Sequence, residues 1–272
     1  MPADETQTSR WNGPRGRSWV ENRALLDDVM RPLETTLVDA VTAAGGRRVL
    51  DVGCGTGSTT VAIARQVDEC VGVDLAEPMI AAARVRAAEE GSTATFLRAD
   101  AQEHEFAPGE FDTVVSRFGV MFFPDAVAAF ANLRRAVRPG GALRCLVWRG
   151  PADNPFMTVT ETAAGPLVPN LPVSPPEAPG RFAFAEPGVV HRALDPSWHD
   201  VALEPVDVEC WMPEPELIGY FTKFGPLGLV YADLDPATRE RAVTAVRAAY
   251  QPFVDGDRVR WNAACWLISA RA

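Results

Sequence analysis

The sequence predicts an α/β protein whose strands form a mostly parallel sheet with helices on both faces. Three observations carry this. Strand-like apolar runs alternate with helix-like segments between residues 47 and 149, the rhythm of parallel α/β units. The first strand, Val49-Leu50-Asp51-Val52, runs straight into Gly53-Cys54-Gly55-Thr56-Gly57 and then into a helix opening at Ser58-Thr59-Thr60. A strand feeding a glycine-rich turn that opens a helix makes a nucleotide-type site, because glycine lets the backbone turn tightly and approach a ligand closely. Finally, acidic residues recur at strand ends, with Asp51 before the turn, Asp74 ending the second strand and Asp100 after the third. That is the edge on which open parallel sheets bind ligands.

In chain order, residues 1–9 are polar and expected to fray, and Trp11 to Trp19 is turn-rich but carries two tryptophans, so it should pack on something. Ser18 is a plausible N-cap for the helical periodicity of Leu26, Val29, Met30, Leu33, Leu37 and Val41. Pro32 interrupts it and predicts two helices or one kinked helix, ended by Gly45-Gly46. Strands follow at 47–52, 70–74, 95–97, 111–116 and 143–148, with helices at 59–67, from Pro78 to 90, and at 125–137, and an aromatic loop at 118–124. Beyond Trp148 the rhythm breaks. Residues 151–179 are too rich in proline to be regular throughout. A short helix is expected at 187–194, a strand at 201–211 that Pro205 confines to a bulge or an edge, helices at 214–224 and 236–250, and a closing strand at 260–270. With no internal repeat or low-complexity linker, one domain is expected over 1–272. It divides into a helical N-terminal cap (1–46), a core that would bind the ligand (47–149), insertions around the sixth strand expected on the substrate side (150–200 and 212–258) and the last strand (260–271).

Composition excludes several functions. The formal charge of −10 and pI of about 4.9 oppose sequence-independent nucleic-acid binding, which rests on cationic neutralisation of phosphates, and oppose an anionic membrane surface. Lys223 is the only lysine, so lysine-based covalent chemistry would have one residue to use. Cys54, Cys70, Cys145, Cys210 and Cys265 show no metal-ligand spacing and read as reduced, mostly buried thiols of a cytoplasmic protein. No metal is expected. No run is apolar and long enough to span a bilayer.

The glycine spacing here is G-x-G-x-G, and Ser58 stands where a dinucleotide site wants its last glycine. Asp74, ending a strand after Val71-Gly72-Val73, can accept both hydroxyls of a ribose. The set VLDVGCGTGSTT, VGVDLAEPMI, ADAQEHEF, FDTVVSRFGVMFF and RPGGALRCLVW resembles the class I S-adenosylmethionine-dependent methyltransferases. Within them it is similar to the ubiquinone/menaquinone-methyltransferase-like group and its natural-product relatives. WNGPRGRSWV and AACWLISAR also fit that group, so the similarity spans the chain. The resemblance implies a Rossmann-like seven-stranded sheet with the last strand antiparallel. It implies S-adenosyl-L-methionine as cofactor and S-adenosyl-L-homocysteine as product. Gly53, Gly55 and Gly57, with Cys54 among them, would line the methionine part, and Asp51 and the backbone near Gly53 would hold its amino group. Asp74 would take the ribose, Leu75 and Met79 would lie against the adenine, Asp100 and Ala101 would meet its amino group, and Ser116 to Phe118 would lie under the sulfonium.

Three aromatic segments could close over the sulfonium: Trp11 to Trp19, Phe118 to Phe123, and Tyr220 to Phe224. They supply the candidate acceptor contacts Trp11, Trp19, Met121, Phe122, Phe221 and Phe224. His104, His191 and His199 lack a visible orienting partner, so no catalytic residue is assigned. The favoured reading is methyl transfer to an oxygen or carbon of a hydrophobic or aromatic small molecule, of the kind found in antibiotic pathways, by a monomer or homodimer. A second reading is a cofactor-binding protein that has lost transfer. A third is an NAD-dependent oxidoreductase, disfavoured by the glycine spacing.

Overall fold

A computed structural model describes residues 7–172 and 178–272. The expected fraying of residues 1–6, and residues 173–177 of the proline-rich stretch, lie outside the described residues. The strands are β1 (Arg48–Val52), β2 (Glu69–Asp74), β3 (Thr95–Arg98), β4 (Phe111–Arg117), β5 (Val137–Trp148), β6 (His199–Pro213), β7 (Val254–Asp255) and β8 (Arg258–Arg271). They form one sheet in the order β3-β2-β1-β4-β5-β8-β6, with the two-residue β7 paired to β8. Pairing from β3 through β5 is parallel throughout, while β8 runs antiparallel to both β5 and β6. The expected seven strands with a reversed last one are therefore the main path, and β7 is an addition that folds back on the start of β8.

The helices are α1 (Gln7–Asn12), α2 (Pro14–Glu21), α3 (Arg23–Ala43), α4 (Ser58–Ala64), α5 (Glu77–Glu89), α6 (Ala126–Ala136), α7 (Pro155–Ala164), α8 (Pro187–Leu194), α9 (Leu217–Lys223), α10 (Gly225–Val230) and α11 (Pro236–Ala249). Strand order reverses at β1 and β4, so the crevice that ligands use in such sheets opens beyond the carboxyl ends of those two strands.

Several local expectations are corrected. Ser18 lies inside α2, which begins after Gly13 with Pro14 in its first turn. Pro32 sits within an unbroken α3. Its cost of about 3 kcal/mol is outweighed by one buried face on which Leu26, Val29, Leu33, Leu37 and Val41 lie on both sides of it. Residues 138–141 do not merely stop α6: β5 already begins at Val137, which pairs with Phe111 across a register shift. As expected, the proline-rich stretch is not regular throughout: among its described residues only α7 is helical. Asp125 caps α6 by accepting from the Ala128 N–H at 3.0 Å. Pro205 is accommodated because β6 is an edge strand, and a register shift lies nearby between His199 and Ala202.

All five cysteines are free, and their burial is as expected. The antiparallel half has its own aromatic nucleus. Phe156 of α7 stacks on Trp261 of β8 at 3.9 Å and meets Tyr250 at 5.0 Å. Asn154, 1% exposed, ties the start of α7 to β8 by donating to the Ala264 carbonyl (2.9 Å) and accepting from its N–H (3.0 Å). Removing the Phe156 ring leaves a cavity beneath both insertions. Phe156→Ala is expected to lower unfolding free energy by about 3–5 kcal/mol, read from urea denaturation followed by circular dichroism.

Candidate cofactor and acceptor site

All three glycines of the turn have left-handed backbone: φ is +68° at Gly53, +54° at Gly55 and +82° at Gly57. Their surroundings differ. A β-carbon on Gly53 would stand 2.7 Å from the Gly119 Cα, and one on Gly57 would stand 2.8 Å from the Phe96 ring. Nothing lies within 4 Å of the same position on Gly55. Gly53 and Gly57 are thus required by packing, and Gly55 presents bare backbone to open space. The Gly53 and Cys54 N–H groups both donate to the Val73 carbonyl, at 2.8 and 3.1 Å, which fastens the turn to β2. Cys54 is buried.

Asp74 completes this fastening. One carboxylate oxygen accepts from the Gly55 N–H at 3.0 Å and the other from the Ala76 N–H at 2.9 Å. Burial raises its pKa, and those backbone donors pull it back down. Each oxygen keeps acceptor capacity, and the residue is half-buried, so a diol donating two hydroxyls matches its chemistry. Leu75 is half-buried and Met79 fully buried beneath it. Asp100 accepts from the Gln102 N–H at 2.9 Å through one oxygen, and the buried Ala101 is held by Asn132, whose amide donates to its carbonyl at 2.9 Å.

Asp51 is 1% exposed, and Thr60 donates to it at 2.7 Å. Burial pushes its pKa up to about 6, against the lowering by Thr60 and by the Arg117 guanidinium. Its charge therefore acts from beneath the turn, through the field rather than through an exposed oxygen. Ser116 is also fully buried and its hydroxyl is fully used: it donates to the Val52 carbonyl at 2.7 Å and accepts from the Gly119 and Val120 N–H groups at 3.1 and 3.2 Å. It shapes the loop after β4 and does not face open space. Phe118, with φ of +65°, stacks on Trp148 at 4.3 Å, a strained backbone of the kind that collects at functional sites.

The three aromatic segments meet. Phe122 contacts Trp11 (5.3 Å), Trp11 contacts Trp19 (5.9 Å), Trp19 contacts Phe224 (5.9 Å) and Phe224 contacts Tyr220 (5.5 Å). Two expected members differ. Phe221 is 1% exposed and stacks inward on Tyr250, because alternate sides of α9 face the core and the cover; Tyr220 takes its place. The Met121 side chain is buried, and its carbonyl accepts from the Gly180 N–H at 3.0 Å. That bond brings residues 178–185 to the site; they belong to the insertion 150–200 expected on the substrate side, though none of them was singled out. Gly119 and Asn12 also escaped the sequence reading. A β-carbon on Gly119 would stand 2.5 Å from the Val52 carbonyl; the glycine right after Phe118 was the available signal. Asn12 docks the cap by accepting from the Glu77 N–H at 2.9 Å. No histidine lies among these rings: His104 packs on Phe106, His191 pairs with Asp195 at 3.1 Å, and His199 is exposed at the start of β6.

Comparison with known proteins bears on the family and the fold. A family described as methyltransferase domain matches residues 49–141. The chain is 32% identical over 236 residues to the nocamycin O-methyltransferase of Saccharothrix syringae, covering 80% of this chain and 82% of that one. It is 40% identical over 124 residues to an uncharacterized protein of Mycobacterium tuberculosis, of whose length it spans about half (45%). Among solved structures, the YcgJ protein of Bacillus subtilis superposes with a TM-score of 0.57 at 19% identity, over 87% of this chain and 97% of that one. The [4+2]-cyclase SpnF does so with a TM-score of 0.56 at 19% identity, over 100% and 97%; both show the fold. The chain belongs to the S-adenosylmethionine-dependent methyltransferases. The family's cofactor fits the residues present: a bare-backbone cradle at Gly55, an acceptor-only carboxylate at Asp74 and a buried negative charge at Asp51.

Asp51 gives a pH signature. A carboxyl with folded pKa raised from 3.8 to about 6 favours the fold below its unfolded pKa, and that advantage is lost as pH rises through about 6. At neutral pH the loss is on the order of 3 kcal/mol. Asp51→Asn is expected to raise the neutral-pH melting temperature of the cofactor-free protein and to flatten its stability between pH 4 and 6, read by calorimetry across pH.

Proposed function

We propose that this chain transfers the methyl group of S-adenosylmethionine to an oxygen or carbon of a hydrophobic or aromatic small molecule in secondary metabolism. The observation that carries the reading is the row of rings from Phe122 to Tyr220 beside the loop after β4. When bound, the cofactor supplies a methyl on a positively charged sulfur. Asp74 receives the ribose hydroxyls, Asp100 and Ala101 the adenine edge, and the backbone at Gly55 the amino-acid end over the Asp51 charge. Phe118, Phe122, Trp11, Trp19 and Phe224 exclude water, and their faces tolerate a sulfonium. Holding an acceptor in line is worth on the order of 7–11 kcal/mol, so transfer proceeds with little further help. The protein acts as a cytoplasmic monomer or homodimer. The nocamycin and ubiquinone-biosynthesis O-methyltransferases among its relatives support an oxygen acceptor.

The absence of a histidine among the rings also suits a second reading, in which the bound cofactor acts without being consumed. Tritium transfer from labelled cofactor to a panel of phenols and polyketides separates the two: label in any acceptor supports transfer, and tight product binding with no labelled acceptor supports the alternative. Calorimetry is expected to show micromolar affinity for S-adenosylhomocysteine and none for NAD. Asp74→Asn, which removes a charged acceptor, should weaken S-adenosylhomocysteine about 10–100-fold, in line with the worth of hydrogen bonds to a charged group. Trp19→Ala should leave that affinity nearly intact while lowering turnover, because it opens the cover and not the cradle.

A further inference from the structure

Lys223, the only lysine of the chain, ends α9 and meets the N-terminal cap twice. Its ammonium donates to the Asn22 Oδ1 at 2.8 Å, and its carbonyl accepts from the Ser18 hydroxyl at 3.1 Å. That carbonyl is one of those a helix end leaves without an internal partner, so Ser18 caps α9 from another element. Asn22 closes the triangle by donating to the Ser18 carbonyl at 2.8 Å. Between Ser18 and Asn22 stands Trp19, whose ring meets Phe224, the residue after Lys223, at 5.9 Å.

The two sides of this junction are held with unequal firmness. α9 is anchored, because Leu217 and Phe221 are buried. Gly228 of α10 backs it so closely that a β-carbon there would stand 2.5 Å from the Lys223 carbonyl carbon. α1 and α2 bury no side chain, and Gly16 is their one buried residue. A β-carbon on Gly16 would collide with the Trp11 carbonyl, so the two helices form one piece. A piece with so few buried contacts opens locally with ease. Asn22 is the single residue between α2 and α3 and is the place where that piece can turn. The rings from Phe122 to Phe224 touch edge to face at 5.3–5.9 Å, so an acceptor passes the row only where a pair parts. Trp19 and Phe224 are the pair that spans the anchored α9 and the lightly held cap.

Resting on the reading of these rings as the acceptor's cover, we propose that Lys223 is a positioning residue. It clasps the cap to α9 and so sets how often the cover opens between Trp19 and Phe224. The clasp is two hydrogen bonds between exposed groups, each modest in net worth, so thermal motion breaks it. With the clasp broken, α2 turns at Asn22, Trp19 lifts from Phe224 and the acceptor enters there. With it made, Trp19 is pressed back over the acceptor. The cradle at Gly55 and Asp74 is untouched by either state, so the clasp acts on the acceptor and leaves the cofactor's affinity alone.

The test is hydrogen exchange of the S-adenosylhomocysteine complex of the whole chain, read by mass spectrometry on peptides. In Lys223→Met, amides of residues 14–22 should exchange about threefold faster, while those of β4 keep the wild-type rate. Lys223→Arg, which keeps a charged donor, should restore the wild-type rate, and Ser18→Ala, which removes the other bond, should speed the same peptides. Affinity for S-adenosylhomocysteine should stay within about twofold in all three variants, since the clasp opens the cap and not the cradle. Unchanged exchange over 14–22 in Lys223→Met and Ser18→Ala overturns the clasp. So does faster exchange that extends to β4, or a Lys223→Arg variant as fast as Lys223→Met. With any phenol or polyketide that takes up label, Lys223→Met should raise the acceptor KM about threefold at nearly constant kcat, the mark of binding lost equally before and during transfer; an unchanged KM also overturns the proposal. Wild-type protein that labels no acceptor, with the exchange differences intact, would reject the methyl-transfer reading and leave the clasp standing.

Discussion

The site depends on how closely two backbones approach. Gly53, after β1, and Gly119, after β4, stand so near that a β-carbon on either meets the other's Cα at 2.7–2.8 Å. Parallel strands keep their spacing by hydrogen bonding, but beyond their ends nothing holds the chains together except what the loops provide. Here Ser116 provides it, with one hydroxyl bonded to Val52 on one side and to Gly119 and Val120 on the other. The turn at Gly55 and the strained Phe118 are both set by that clamp. Once the clamp is made, Phe122 is delivered to Trp11, and the cover follows from it.

The same crevice holds a cost. Among the described residues an ionised Asp51 beneath the turn is paired only with a hydroxyl at 2.7 Å and the field of Arg117, so burial works against the fold at neutral pH. A protein selected for stability alone would place a neutral residue there. Retaining a carboxylate makes sense where a cationic ligand group supplies the missing partner, so that ligand binding and folding reinforce one another. Asp74 solves a related problem differently, by sharing its charge among backbone N–H groups while keeping acceptor capacity for a ligand.

The cofactor half was legible in the sequence because its signals are local. Glycines, strand-end aspartates and a proline-started helix each announce themselves within a few residues, and the structure places β1 to β4 and α5 within one residue of the expected bounds, while α4 ends three residues early and β5 starts six residues early. The convergence of the three aromatic segments was legible as composition, since Trp11 and Trp19 had no reason to sit in a solvated segment. What was not legible is long-range. Tyr220 and Phe221 are adjacent letters of similar chemistry, and only the packing of α9 decides which one turns to the cover. Gly180 enters the site through a bond to Met121, 59 positions away in sequence, and no pattern within 178–185 foretells it. Pro32 misled for a related reason: a breaker is overridden when a buried face continues through it.

The reversed strand has an evolutionary consequence. Since β6 ends and β8 begins at the same end of the sheet, residues 214–253, before the short β7, leave and re-enter the fold on one side only. A parallel last strand would oblige that connection to travel the full height of the sheet and would constrain its length. Here the excursion carrying Tyr220 and Phe224 can lengthen, shorten or be replaced without altering any strand's register. On the proposed reading of Tyr220 and Phe224 as acceptor contacts, mutation can thus vary that excursion while the turn after β1 is inherited unchanged.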